Sequence, residues 1–209
     1  MAEKGLVVVV SGPSGVGKGT LIDRITQRDD NIIYAVSATT REIRHNETEA
    51  VNYYYKTNEE FERLVCEKEI LEWDEFCGHK YGTLRSVLQA GIDAGRDVIL
   101  DLTIPGAVAI KEALPEDTVT IFILPPSIAD LEDRIRSRHR ETEAQLRERV
   151  AFAVKEELSK VALFDYVIVN DVLDEAVNDL AAVIKAERSK FIRNKHILNI
   201  KILKGEDIL

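Results

Sequence analysis

The apolar positions of this chain fall into two recurring patterns. Leu6 to Val10 is an unbroken run rich in β-branched residues, the mark of a strand buried on both faces. Leu21, Ile22 and Ile25 then follow at helical spacing. The same pairing returns downstream. Val87, Leu88 and Ile92 predict a helix stopped by Gly95, and Asp97 to Asp101 predicts a buried strand ending in a carboxylate. Gly106 to Leu114 reads as a helix and Val119 to Leu124 as a strand ended by Pro125-Pro126. Ser127 with Asp130 caps a helix carrying Ile128, Leu131 and Ile135 on one face. Thr142 with Gln145 opens another, in which Leu146, Val150, Val154 and Leu158 recur every four residues. Tyr166 to Val169 is a last strand, and Val177, Leu180, Ala181 and Ile184 mark a closing helix.

Alternating strands and helices imply a parallel sheet covered by helices on both faces. One stretch breaks the alternation. Ile32 to Val36 is a short strand or edge segment, but Ser37 to Glu49 is polar and carries Arg41 and Arg44. Asn52 to Tyr55 has strand character, and Thr57 to Glu60 is a capping box before Phe61 and Leu64. Ile70 to Trp73 and Gly78 to Thr83 are irregular or strand-like. Residues 37–86 are therefore expected to form a small α+β insertion. The core is expected from residues 1–36, 87–136 and 150–209, and a short helical lid from 137–149 around a polar break at 138–143. Residues 187–209 form an extension, in which His196 to Leu203 has strand-like composition.

The turn after the first strand carries the chemistry. Gly12, Pro13, Ser14, Gly15, Val16, Gly17 and Lys18 form a Gly-x-x-x-x-Gly-Lys loop between a strand and a helix. That is the layout of a phosphate-binding loop of the P-loop NTPase type. Its backbone N–H groups, the helix N-terminus and Lys18 all favour an anion. Gly19 stands where Ser or Thr is usual, so the hydroxyl facing a magnesium ion or phosphate must come from Thr20. Ligands of such sheets bind at the carboxyl ends of the strands, which puts Asp101 near the loop, where it can orient magnesium.

Net charge is −9 over 209 residues, against a general nucleic-acid surface. No apolar stretch is long enough to span a membrane, and Met-Ala-Glu-Lys does not begin a signal peptide. Cys66 and Cys77 lack metal-ligand spacing and read as reduced thiols of a cytoplasmic protein. The four histidines are scattered without ligand spacing. Any anionic substrate must meet local arginine clusters. Arg41 and Arg44 with Tyr53 and Tyr81 suit a second anionic group, or else a solvated loop. Arg134, Arg138 and Arg149 suit a phosphate in transit, or else a helix surface paired with acids. Glu72 has two oxygens to accept N–H donors from a guanine edge, or else faces solvent on an alternating strand.

Taken in order, these motifs resemble the guanylate kinase family from about Gly5 to about Ile184. Ser11 to Lys18 matches the family's opening loop. Ser37, Thr39, Thr40, Arg41, Arg44 and Glu47 match its GMP-site stretch, and Tyr53 its following strand. Leu71-Glu72-Trp73, Tyr81-Gly82-Thr83, Ile121 to Ser127 and Ile168 to Asp171 match further family motifs. The resemblance implies transfer of a phosphoryl group from Mg-ATP to GMP, giving ADP and GDP. It implies that Ser37, Arg41, Arg44, Tyr53 and Tyr81, with Glu47, serve the GMP phosphate, and that Glu72 and Thr83 read the guanine. Lys18 and the loop would hold the ATP phosphates, Arg134, Arg138 and Arg149 would close from the lid, and Asn170 would sit near the adenine. The chain departs from the family after the central strand. Thr103 stands where the family places an Asp near the guanine amino group, and Pro105 where it has Gln. Two other readings fit less of the chain: a related kinase acting on another acceptor such as a ribose bisphosphate, and a non-catalytic interaction module.

Overall fold

The computed structural model describes residues 4–76, 78–137 and 142–194. Arg138, His139, Cys77 and the segment His196 to Leu203 lie outside the described residues.

Five strands form one parallel sheet: β1 (Val7–Ser11), β2 (Ile32–Tyr34), β7 (Asp97–Asp101), β8 (Thr118–Leu124) and β9 (Tyr166–Val169). Their order is β2-β7-β1-β8-β9, with β1 in the centre. Alternation along β1 divides the core. Val8 and Val10 join the cluster that includes Leu21, Ile25, Leu131, Leu180 and Ile184. Val7 and Val9 join Leu88, Ile92, Ala107 and Ile110 on the opposite face. The helices on the first face are α1 (Lys18–Arg28), α5 (Ile128–Arg136), α6 (Glu143–Phe152) and α7 (Leu173–Arg188). Those on the second are α3 (Arg85–Asp93) and α4 (Ile104–Ala113). A run of five buried residues in β1 is what a strand covered on both sides requires.

A second sheet, ordered β4-β3-β6-β5, stands beside the first. It contains β3 (Ala38–Thr39), β4 (Tyr54–Tyr55), β5 (Ile70–Phe76) and β6 (His79–Leu84). β5 and β6 pair antiparallel, aligning Glu72 with Thr83 and Asp74 with Tyr81. Helix α2 (Asn58–Cys66) packs Phe61 under this sheet with Ala38, Ile70 and Leu84. Both reciprocal caps read from the sequence form, Thr57 with Glu60 and Thr142 with Gln145. Ser127 likewise caps α5.

Three elements differ from the pattern. The polar stretch after Ser37 contains a strand, β3, because Ala38 and Thr39 bury their side chains between β4 and β6. Helix α4 begins at Ile104, two residues before the expected Gly106, with Thr103 as its N-cap. The period-four run does not make one helix. α6 ends at Phe152, and the chain continues as a π segment, Ala153–Glu157, and a 3₁₀ segment, Leu158–Leu163. An α-helix repeats every 3.6 residues, so a four-residue repeat drifts off its face. The buried positions are Leu146 and Ala153, while Val154 is 39% exposed.

Asp97 ties the start of the sheet to the last helix. Its Oδ1 accepts from the backbone N of Leu6 at 2.8 Å, and its Oδ2 accepts from Arg188 Nε at 2.5 Å. Arg188 also donates to Asp29 at 3.0 Å. Asp97→Ala leaves the buried Leu6 N–H without an acceptor. Urea denaturation should show a loss of about 1–3 kcal/mol, the cost of an unsatisfied buried donor.

Candidate nucleotide and phosphate site

The carboxyl end of β1 turns through Gly12 to Gly17 into α1. Gly17 has φ 102°, in the left-handed region, and a Cβ there would lie 2.5 Å from Asn170 Nδ2. The glycine thus serves both backbone conformation and close approach. Lys18 folds back over its own loop, donating to the carbonyls of Gly12 at 2.7 Å and Pro13 at 3.3 Å. Its Nζ lies 3.8 Å from Asp101 Oδ1. Asp101 reaches this position because β7 pairs with β1 in a register that sets Asp101 against Val10. Surrounding protein pushes the Asp101 carboxyl above its ordinary range, and Lys18 opposes that shift. Thr20, in the first turn of α1, is exposed.

Two side chains hold this loop from behind. Asn170 Nδ2 donates to Val16 O at 2.8 Å, and Arg134 Nη1 donates to the same carbonyl at 3.2 Å. Asn170 is 6% exposed, and one N–H of its amide is bonded to the loop. Arg134 braces the loop backbone while neighbouring Arg136 pairs with Glu132, Asp133 and Glu143 on the surface. Arg149 lies on the exposed side of α6. Glu157, which the sequence did not single out, feels Lys18, Arg149 and Lys160. Burial pushes its carboxyl up, and those three cations pull it down.

The second sheet builds an anion cradle around Arg41. Its Nη1 and Nη2 donate to Glu47 Oε2 and Oε1 at 3.0 and 2.7 Å, a bidentate pair. The guanidinium lies 5.4 Å from the ring centroid of Tyr53 and 5.9 Å from that of Tyr55. Tyr53 and Tyr81 meet edge to face at 5.8 Å. Glu47 also accepts from the backbone N of Arg44 at 2.9 Å and from Tyr55 Oη at 2.8 Å. These donors, Arg41 foremost, hold its carboxyl down at about 2. Glu47 is the fixture that orients Arg41 and turns the 41–47 loop. The Arg44 side chain is exposed. Tyr55 completes the cradle through its bond to Glu47.

Between this cradle and the first sheet lies a cleft of about 220 Å³. Ser37, Tyr53, Glu72, Tyr81, Asp101 and Thr103 line it, as do Tyr34, Asn52 and Asp74, which the sequence did not single out. Glu72 Oε1 accepts from Thr83 Oγ1 at 2.5 Å, and Thr83 is 2% exposed. Burial pushes the Glu72 carboxyl above its usual range, with Thr83 opposing and Asp74 adding to the rise. The other Glu72 oxygen faces the first turn of α4, where a Cβ on Gly106 would fall 2.7 Å from Oε2. The helix N-terminus favours a carboxylate there. Among the described residues no cluster of three or more His, Cys, Asp or Glu forms a metal cage. No described helix is long and apolar enough to cross a membrane.

The half-buried Glu72, Tyr53 beside Arg41 and Asp101 beside Lys18 thus line one cleft. The chain's relatives share this length and order. The guanylate kinase of Halalkalibacterium halodurans is 44% identical over 188 residues, covering 90% of this chain and 91% of that protein. The guanylate kinase of Bacillus subtilis is 39% identical over 191 residues, covering 91% and 93%. The crystal structure of guanylate kinase from Anaplasma phagocytophilum superposes with a TM-score of 0.71 at 32% identity, covering 94% of this chain and 95% of that one. The family model described as guanylate kinase matches residues 4–187, and with it the chain belongs to the guanylate kinase family.

Proposed function

We propose that this enzyme transfers the γ-phosphoryl group of ATP to GMP, reversibly, giving ADP and GDP. One observation carries the reading. The cleft that Glu72 lines is also lined by Asp101, whose carboxylate lies beside Lys18 of the phosphate loop. A base bound against Glu72 and Thr83 would carry its phosphate toward Arg41, Tyr53 and Tyr81, and from there toward the donor.

The attacking atom is an oxygen of the GMP phosphate, already ionised, so no general base is required. The bond from the γ-phosphorus to the β–γ bridging oxygen breaks, and that oxygen stays with ADP. Catalysis of such a transfer rests on alignment and on balancing charge over the equatorial oxygens. Lys18 and the amides of residues 12–20 hold the donor phosphates. To do so, Lys18 exchanges its two loop carbonyls for phosphate oxygens. Arg41, fixed by Glu47, binds the acceptor phosphate with Ser37, Tyr53 and Tyr81, and Arg44 adds charge from the exposed loop. Arg149, and Arg138 outside the described residues, approach the moving group from the lid segment 137–149. Arg134 and Asn170 act through the loop they brace.

Magnesium fits the donor set. Asp101 and the Thr20 hydroxyl offer few protein oxygens, which suits an ion that keeps several waters and takes phosphate oxygens. When bound, it shields the donor's negative charge. We place the enzyme in the cytoplasm, in purine nucleotide metabolism, with residues 37–86 as the acceptor-binding unit, 137–149 as the lid and 1–36, 87–136 and 150–209 as the core.

A coupled ADP-release assay with Mg-ATP and GMP, dGMP, AMP, UMP, CMP or ribose 1,5-bisphosphate tests the reaction. Strong preference for GMP is expected, and a different preferred acceptor would overturn the substrate. Lys18→Ala should lower kcat about 100-fold or more while the protein stays folded. Gly106→Ala should raise KM for GMP about ten-fold, because its methyl displaces Glu72 from the first turn of α4. KM for ATP should not follow. Thermal stability should not fall either, since Ala is the better helix former, so the effect will read as misplacement of Glu72.

A further inference from the structure

The cleft contains a second carboxylate, opposite Tyr81 on β6. Asp74 lies two residues after Glu72 on β5, and in an extended strand residues i and i+2 share a face. The register keeps that relation beyond the irregularity at Ile70/Glu72, since Glu72, Trp73 and Asp74 pair in turn with Thr83, Gly82 and Tyr81. Trp73 points away, packing edge to face on Phe61 at 6.3 Å. Glu72 and Asp74 both line the cleft. Asp74 adds to the raised proton affinity of Glu72, behind the larger effect of burial.

Thr103 stands on the cleft wall, but its hydroxyl is the N-cap of α4, accepting from Gly106 N at 3.4 Å. It offers no anionic acceptor. Glu72 has one oxygen bonded by Thr83 and the other near the first turn of α4. A guanine edge presents three N–H donors, one on N1 and two on the 2-amino group. A carboxylate spanning N1–H and one amino N–H leaves the second amino N–H without a partner. Asp74 is exposed, and a donor left unpaired once a base covers it is costly, so a second acceptor sharpens selection. Asp74 Oδ1 accepts from Glu75 N at 2.7 Å, which fixes the carboxyl, and among the described residues no partner occupies Oδ2.

We propose that Asp74 accepts the second N–H of the purine 2-amino group and, together with Glu72, sets selection for guanine over hypoxanthine. This rests on the GMP reading above and deepens it. Asp74 is a specificity residue: it touches the base and takes no part in the transfer.

The test measures kcat/KM for GMP and for IMP, which lacks the 2-amino group, in the full-length protein and in Asp74→Ala and Asp74→Asn. In Asp74→Ala the GMP/IMP ratio should fall about ten-fold or more, the scale of one charge-assisted hydrogen bond, with the loss in KM for GMP. IMP turnover and KM for ATP should stay within about three-fold, since neither meets that acceptor. Asp74→Asn keeps a carbonyl acceptor and should recover most of the ratio. An unchanged ratio in Asp74→Ala overturns the proposal. So does an Asp74→Asn protein as impaired as Asp74→Ala, because the carboxylate would then act only through its charge on Glu72. If the unaltered protein does not use GMP, the kinase reading itself fails. If it uses GMP and the ratio is insensitive to Asp74, only this assignment fails.

Discussion

The carbonyl of Val16 is the point on which the nucleotide end of this molecule depends. Two donors from separate elements converge on it, Asn170 from the end of β9 and Arg134 from α5. A phosphate loop works by aiming backbone N–H groups inward, and a loop free to relax would lose that aim. Here the outward-facing carbonyl is clamped, so the opposite face of the same peptide chain is held in shape. The clamp needs Gly17, since any larger residue would strike Asn170. It also needs the parallel sheet, which delivers β9 beside β8 and β8 beside β1.

The acceptor side is organised by a comparable economy of charge. Arg41 meets a carboxylate with both terminal nitrogens and lies close to two tyrosine rings before any phosphate arrives. Glu47 gathers Arg41, the Arg44 backbone and Tyr55 into one fixture, and its depressed proton affinity records how many donors it holds. Preorganisation of this kind lowers the ordering cost of binding an anion. Lys18 shows the other strategy, resting on its own loop carbonyls.

Some of this was legible along the chain and some was not. The strands of the parallel sheet stood out because burial on both faces demands uninterrupted apolar runs, as in Val7 to Val10 and Ile121 to Ile123. The caps at Thr57, Ser127 and Thr142 stood out because they are local chemistry. The period-four run misled, since it counts spacing but not which side of the helix meets the core. Tyr55, Asp74 and Glu157 went unnoticed because each gains its surroundings only from strand register or from a distant element.

The sequence by itself determined the phosphate loop, the parallel α/β core and the identity of the groups available for chemistry. These depend on short-range spacing and on the burial pattern of single elements. Tertiary structure alone decided what each group is doing. It set Asn170 against the loop carbonyl of Val16, and Glu47 against Arg41. It also set Asp74 beside Glu72 on the cleft wall. The reason is physical: a side chain's role follows from the partners that compete for its donors and acceptors, and those partners come from residues far away in sequence.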